Sequence, residues 1–202
     1  MIKSVIINGP PCSGKDCLFD YFVENLPYTG YNHLWVEHRS FAKPLKQILQ
    51  IQYNLTDEEI AEYDSNHVLK ETPEERFGGK SWRTLCKELS NEMKIKFGEE
   101  YFGNHLVKRI EQISCPWEIM PLNVVITDGG FAEETYPLIR KFGADNVIAI
   151  KLIRPGFDYS KDSRKYLDYE TLGIKHHILE NNGTLDEYLK KGSKLLFDIL
   201  LS

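Results

Sequence analysis

Two glycines five positions apart, followed at once by a lysine and an aspartate, are the first residues of this 202-residue chain that could act together chemically. In Gly9-Pro10-Pro11-Cys12-Ser13-Gly14-Lys15-Asp16 the glycines allow backbone turns and close approaches that a Cβ would block, so main-chain N–H groups can wrap an anion. Lys15 adds a mobile positive charge suited to the β- and γ-phosphates of a nucleotide. The predicted chemistry is phosphate binding by Gly9 to Cys17, with Lys15 as its principal charge. Asp16 stands where a hydroxyl more often meets magnesium. Its carboxylate could hold Mg²⁺ directly or through water. The competing reading is an acidic residue favoured at a helix N-terminus by the macrodipole.

A second acid, Asp128, ends the apolar run Leu122-Asn123-Val124-Val125-Ile126-Thr127. Such a run is the mark of a buried parallel strand, and it would deliver Asp128 to the carboxyl edge of a sheet, where ligands bind. Asp128 is expected to orient magnesium or its water. Gly129-Gly130 follow it, without the glutamate that activates water in motor ATPases, and the N/T-K-x-D guanine signature is absent. Phosphoryl transfer to an acceptor is therefore expected over hydrolysis, and it needs positive charge around the transferring group and exclusion of water. Arg154, just before Pro155-Gly156, and Arg164, within the polar stretch 155–172, are the candidate cations, and that stretch is read as a small mobile lid. For both arginines a solvated surface charge is the competing reading.

The elements that must position these groups alternate between strand and helix, which implies an α/β fold with a parallel sheet. Five strands are predicted, at Val5–Ile7, Leu34–His38, Leu122–Asp128, Val147–Ile153 and Lys175–Leu179, with helices on both faces. The first helix, Lys15–Leu26, places Leu18, Phe19, Phe22 and Leu26 on one side. After the turn-rich 27–32, helices are predicted from Lys43-Pro44, from a capping box at Thr56–Glu59 and from a second box at Thr72–Glu75, before Gly78-Gly79 interrupts the chain. Ser81 caps a long helix whose Leu85, Leu89, Met93 and Phe97 form a stripe expected to be core. Further helices are predicted at 104–113, Phe131–Phe142 and Leu185–Leu201, with Cys115 and Trp117 packing in the connection around Pro116 and Pro121. One domain results: a core of 1–41 and 122–202, a helical acceptor-side insertion at 42–121, and the lid at 155–172.

Composition narrows the partners. A net charge of −5 provides no global basic field for sequence-independent DNA binding. Four cysteines without a C-x-x-C pair read as reduced thiols, and no apolar run has the length of a membrane span. With the N-terminus passing directly into a strand, a cytoplasmic location is expected. The histidines show no metal-ligand spacing and read as structural or surface residues.

With these residues in view, the chain resembles the bacteriophage deoxynucleoside monophosphate kinases and, more distantly, the animal-type phosphomevalonate kinases. Ser13-Gly14-Lys15-Asp16 matches the S-G-K-D that ends their phosphate loop. Phe41-Ala42-Lys43-Pro44-Leu45-Lys46 is similar to the approach to their acceptor-side helix, and Ser81-Trp82-Arg83-Thr84-Leu85 to their R-x-L helix start. The Asp128 strand, Ile153-Arg154-Pro155-Gly156 and the stretch Ile178–Leu185 complete six short matches in order.

The resemblance implies a P-loop NTPase fold of the adenylate-kinase kind. It implies ATP and Mg²⁺ as phosphoryl donor, and a small-molecule nucleotide acceptor held near Lys43, Lys46, Arg83 and Phe131. It breaks after Asp128, where the family has D-x-R and this chain has Asp128-Gly129-Gly130. The missing arginine's role is expected at Arg83 or Arg76, or else the glycines leave room for a bulkier acceptor such as a hydroxymethylated base within DNA. An ATP-sensing module is the non-enzymatic alternative. No membrane partner is expected, and a homodimer is left open.

Overall fold

The computed structural model describes residues 2–26, 34–113, 122–160 and 162–202; the turn predicted at 27–32, Cys115, Pro116, Trp117 and Pro121 lie outside them. The chain opens with β1 (Ile2–Asn8), α1 (Lys15–Glu24) and β2 (Trp35–Arg39). A helical stretch follows, with α2 (Lys43–Tyr53), α3 (Asp57–Ser65), α4 (His67–Glu71), the short strands β3 (Pro73–Glu74) and β4 (Lys80–Ser81), and α5 (Trp82–Phe97). It continues with α6 (Tyr101–Glu111), β5 (Leu122–Ile126), α7 (Ala132–Phe142), β6 (Val147–Ile153), α8 (Tyr169–Leu172), β7 (Lys175–Glu180) and α9 (Leu185–Leu201).

The five long strands form one parallel sheet in the order β2-β5-β1-β6-β7. β1 lies at its centre because its apolar run can be buried on both sides, and Val5, Ile6 and Ile7 are wholly inaccessible. Side chains alternate across a strand. Val5 and Ile7 therefore pack into a core with Leu18, Phe19 and Phe22 of α1 and Tyr188, Leu196 and Ile199 of α9. On the opposite side, α7 touches β1 and β6, with Leu138 fully buried outside that cluster. The protein is thus an α/β structure with a five-stranded parallel sheet flanked by helices.

The chain divides into two compact units, 1–41 with 103–202, and 42–102. The expected insertion 42–121 thus ends earlier, since Gly103 and the rest of α6 belong with the sheet. Gly103 lies directly against the Glu134 carbonyl and Pro137 of α7, a seat that no Cβ could share.

The helical unit corrects two further expectations. At Thr56 the capping box forms, with Thr56 Oγ1 accepting from the Glu59 N–H and the Thr56 N–H donating to Glu59 Oε2. At Thr72 it does not. The Thr72 hydroxyl donates to Val68 O and closes α4, Pro73-Glu74 pairs antiparallel with Lys80-Ser81, and only a 3-10 turn at Glu75–Phe77 lies between. The α5 stripe is core at Leu85 and Leu89, but Phe97 is 54% exposed and stacks on Tyr101 at 5.1 Å. Helical spacing decides which side a residue faces; it does not decide how far the partner surface extends.

Candidate functional site

The loop between β1 and α1 is held in its shape from outside. The Cys12 and Gly14 backbones take positive φ, 58° and 105°. A Cβ on Gly14 would also lie 3.0 Å from the Tyr188 ring and 3.1 Å from Asn181 Nδ2, so glycine is required there for two reasons. Asn181 Nδ2 donates to Ser13 O at 2.8 Å, Tyr188 OH to Gly14 O at 2.9 Å and Arg154 Nη1 to Cys12 O at 2.7 Å. These three braces come from beyond β6 and from α9, and sequence spacing gave no sign of Tyr188.

Inside the loop, Lys15 is 6% exposed and its ammonium donates to Gly9 O and Pro10 O, each at 2.7 Å. Burial, and next the positive charge of Arg164, lower its pKa from the usual 10.5 to about 8, against the opposing pull of Asp16, Asp162 and Asp128. A desolvated cation at the first turn of a helix, whose N–H groups have no partner within the helix, is an arrangement suited to an anion. Asp16 and Cys17 are exposed in that turn, and Cys12 is exposed in the loop. Pro10 and Pro11 lead into the loop turn, where the Ser13 N–H donates to Pro10 O at 3.3 Å.

Asp128 leaves the sheet as expected, but both its oxygens are engaged. Oδ2 accepts from Ser40 Oγ at 2.7 Å and Oδ1 from the Phe41 N–H at 3.1 Å, so the carboxylate ties the β2 exit to the β5 exit. Among the described residues no group of three or more His, Cys, Asp or Glu side chains is placed to hold a metal by itself. Were magnesium to bind here, Asp16 and Asp128 are the carboxylates that would hold it through water, since Mg²⁺ keeps several waters and needs only one or two carboxylates.

The glycines after Asp128 do not leave room for an acceptor. A Cβ on Gly129 would collide with Ile6 Cγ2, and one on Gly130 would lie 2.5 Å from the Arg164 Cβ and 2.9 Å from its Cγ. Gly130 is where the stem of Arg164 crosses. Arg164 forms a bidentate pair with Asp162, Nε to Oδ1 at 2.9 Å and Nη2 to Oδ2 at 2.8 Å, and its own N–H donates to the same Oδ1 at 2.9 Å.

The predicted lid is corrected in its second half. Leu167, Tyr169 and Leu172 are buried, and Asn8, at the end of β1, gathers the segment around its side-chain amide. Asn8 Nδ2 faces Gly129 O (3.1 Å), Tyr159 OH (3.0 Å) and Lys165 O (3.1 Å), while Oδ1 accepts from the Leu167 N–H (2.8 Å) and Tyr169 OH (2.7 Å). An asparagine following an apolar run gives no warning of this hub. Its buried position at the sheet edge creates it.

The predicted acceptor residues are divided between the two units. Phe131 is half-buried at the start of α7, its carbonyl accepting from Thr135 Oγ1 at 3.2 Å. In the helical unit Lys43 is exposed, Lys46 pairs with Asp64 at 2.5 Å and Arg83 pairs with Glu71. Lys70, not singled out by the sequence, joins them: it lies 3.7 Å from Asp64, and burial lowers its pKa, with Asp64 opposing and Lys46 and Arg83 adding to the effect. Burial likewise pushes the neighbouring Cys86 thiol up to about 11. Arg76, the other arginine singled out by the sequence, has its guanidinium committed to Glu59 (2.7 Å), Glu74 (2.9 Å) and Tyr63 OH and lies over the Phe77 ring.

Against this geometry, no model of a known protein family matches the chain, and no curated protein is significantly similar to it. No helix among the described residues is long and apolar enough to cross a membrane.

Proposed function

We propose that the protein is an ATP-dependent phosphotransferase of the P-loop class whose acceptor is a nucleotide, most simply a deoxynucleoside monophosphate. The observation that carries the reading is the buried Lys15 ammonium. It is held by two loop carbonyls at the carboxyl end of the central strand, at the start of α1, with the Arg164 charge bearing on it. A protein retains a cation whose burial opposes its charge where a ligand of opposite charge will use it. In this reading the triphosphate replaces the Gly9 and Pro10 carbonyls as partner of Lys15, and the α1 N-terminus receives its negative charge. Asp16 and Asp128 are the residues that would hold a hydrated magnesium, which when bound would supply charge neutralisation on the phosphate oxygens. Arg154, braced on Cys12 O, and Arg164 contribute further positive charge around the transferred group.

The acceptor is assigned to the helical unit through Lys43, Lys46 and Arg83. Lys70 joins this set on its position beside Asp64. A hydroxymethylated base in DNA is the less favoured acceptor. The space that glycines 129 and 130 were expected to leave for it is filled by Ile6 and Arg164.

The test is an ADP-release screen with ATP and Mg²⁺. It would cover the deoxynucleoside monophosphates, their hydroxymethylated forms, mevalonate phosphate and hydroxymethyluracil-containing DNA, each with wild type and Lys15→Ala. Acceptor-dependent ADP release that Lys15→Ala abolishes is expected. ATP binding without turnover on any acceptor would favour an ATP-sensing module instead.

A further inference from the structure

Arg164 is fixed from three sides. The Asp162 carboxylate, only 5% exposed, takes its Nε, its Nη2 and its backbone N–H. Its stem lies on Gly130, where no Cβ fits, and the next N–H, of Lys165, donates to Gly130 O at 3.2 Å. Asn8, which holds Lys165 O and the Leu167 N–H to the end of β1, immediately precedes Gly9, whose carbonyl accepts from the Lys15 ammonium.

A guanidinium held this firmly beside a second cation is unfavourable by itself, because like charges in a drier site repel. We propose that Asp162 is a positioning residue: with Gly130 as the seat, it holds Arg164 beside Lys15, so that the two cations form one ready-made clamp for the phosphates of a nucleoside triphosphate. The bidentate pair uses Nε and Nη2 and leaves both Nη1 hydrogens outside it. Asp162 thus orients the guanidinium without consuming all of its donors. The neighbours bearing on Lys15 are Arg164, Asp16, Asp162 and Asp128, and the lowering of its pKa by Arg164 agrees with the two cations lying close together. The inference rests on the ATP reading. It adds that the clamp is preformed and does not wait for a lid to carry Arg164 inward.

If Asp162 acts only through Arg164, removing it matters only while Arg164 is present. The experiment is a double-mutant cycle, with ATP affinity measured by calorimetry in the presence of Mg²⁺ for wild type, Asp162→Asn, Arg164→Met and the double variant. Thermal unfolding of each shows whether the fold is kept. Asp162→Asn is expected to weaken ATP about tenfold in the wild-type background and less than twofold beside Arg164→Met. Gly130→Ala, which displaces the Arg164 stem and leaves the Asp162 carboxylate in place, should weaken ATP in the same direction. An Asp162→Asn variant that keeps its ATP affinity within twofold, or loses it equally in both backgrounds, overturns the positioning role while leaving the ATP reading standing. Wild-type protein that binds no ATP overturns both.

Discussion

Lys15 of the sheet unit and the paired cations of the helical unit are partnered in opposite ways. In the helical unit Lys46 meets Asp64, Arg83 meets Glu71, Lys80 meets Glu88, and Arg76 is gripped by Glu59 and Glu74. Such pairs are partly exposed and contribute little apiece to stability. In the sheet unit Lys15 is buried with carbonyls as its hydrogen-bond partners, and a second cation bears on it. Charge that is matched pair by pair is consistent with holding helices in register. A desolvated cation whose hydrogen bonds go to carbonyls is consistent with waiting for a ligand. This contrast, more than the count of basic residues, separates the candidate nucleotide site from the scaffold of the helical unit.

The hardest test of the contrast is Lys15 itself. Lys15→Ala is expected to lower phosphoryl transfer by about 10²-fold or more while far-ultraviolet circular dichroism stays unchanged. Turnover within threefold of wild type would show that the buried charge is idle and would collapse the distinction between the units.

Next in size is Asn8, whose amide joins β1 to the segment 155–172. Asn8→Ala leaves buried polar partners unmatched and should cost about 2–3 kcal/mol in chemical denaturation. In wild type the Leu167 amide, bonded to Asn8 Oδ1, should exchange slowly without ligand, and Asn8→Ala should speed it. Rapid exchange at Leu167 in the free wild-type protein would restore the picture of a loose lid over its whole length.

The lowered Lys15 pKa predicts a pH dependence of definite sign. Below about 8 both folded and unfolded chains carry the proton, and the folded state bears the full cost of the buried charge. Between about 8 and 10.5 the unfolded chain holds more protons, so the stability of the free protein should rise with pH there relative to Lys15→Met. ATP affinity should fall over the start of that window, by roughly fivefold from pH 8 to 9, because the ligand requires the charged form. Equal pH profiles for wild type and Lys15→Met would contradict the burial of the charge.

The smallest expected effect lies in the helical unit. Arg83→Lys keeps the charge and loses the planar fork, so the acceptor KM should rise about threefold with the ATP KM unchanged. A rise in the ATP KM alone would take Arg83 out of the acceptor set and leave the paired charges of that unit with a purely structural role.

What the sequence determined by itself was the part of the fold governed by local periodicity. Leu122–Ile126 and Val147–Ile153 are apolar enough to be buried on both sides, and they are central strands. Thr56 and Thr184 stand three residues before a glutamate, and both form capping boxes. The glycines of the turn between β1 and α1 were legible because backbone geometry demands them, Gly14 through its positive φ and Gly9 through its close approach to Leu152. The tertiary structure decided matters in which two distant segments compete for one place. Thr72 has the same local motif as Thr56, but its hydroxyl is taken by Val68 O and the following residues by a strand pairing. Gly129 and Gly130 read as open space, yet Ile6 and Arg164 fill it. Asn8 and Tyr188 carry no motif at all. Their roles arise because parallel strands bring the ends of β1, β6 and β7 to one edge, where hydrogen-bond partners more than a hundred residues apart meet.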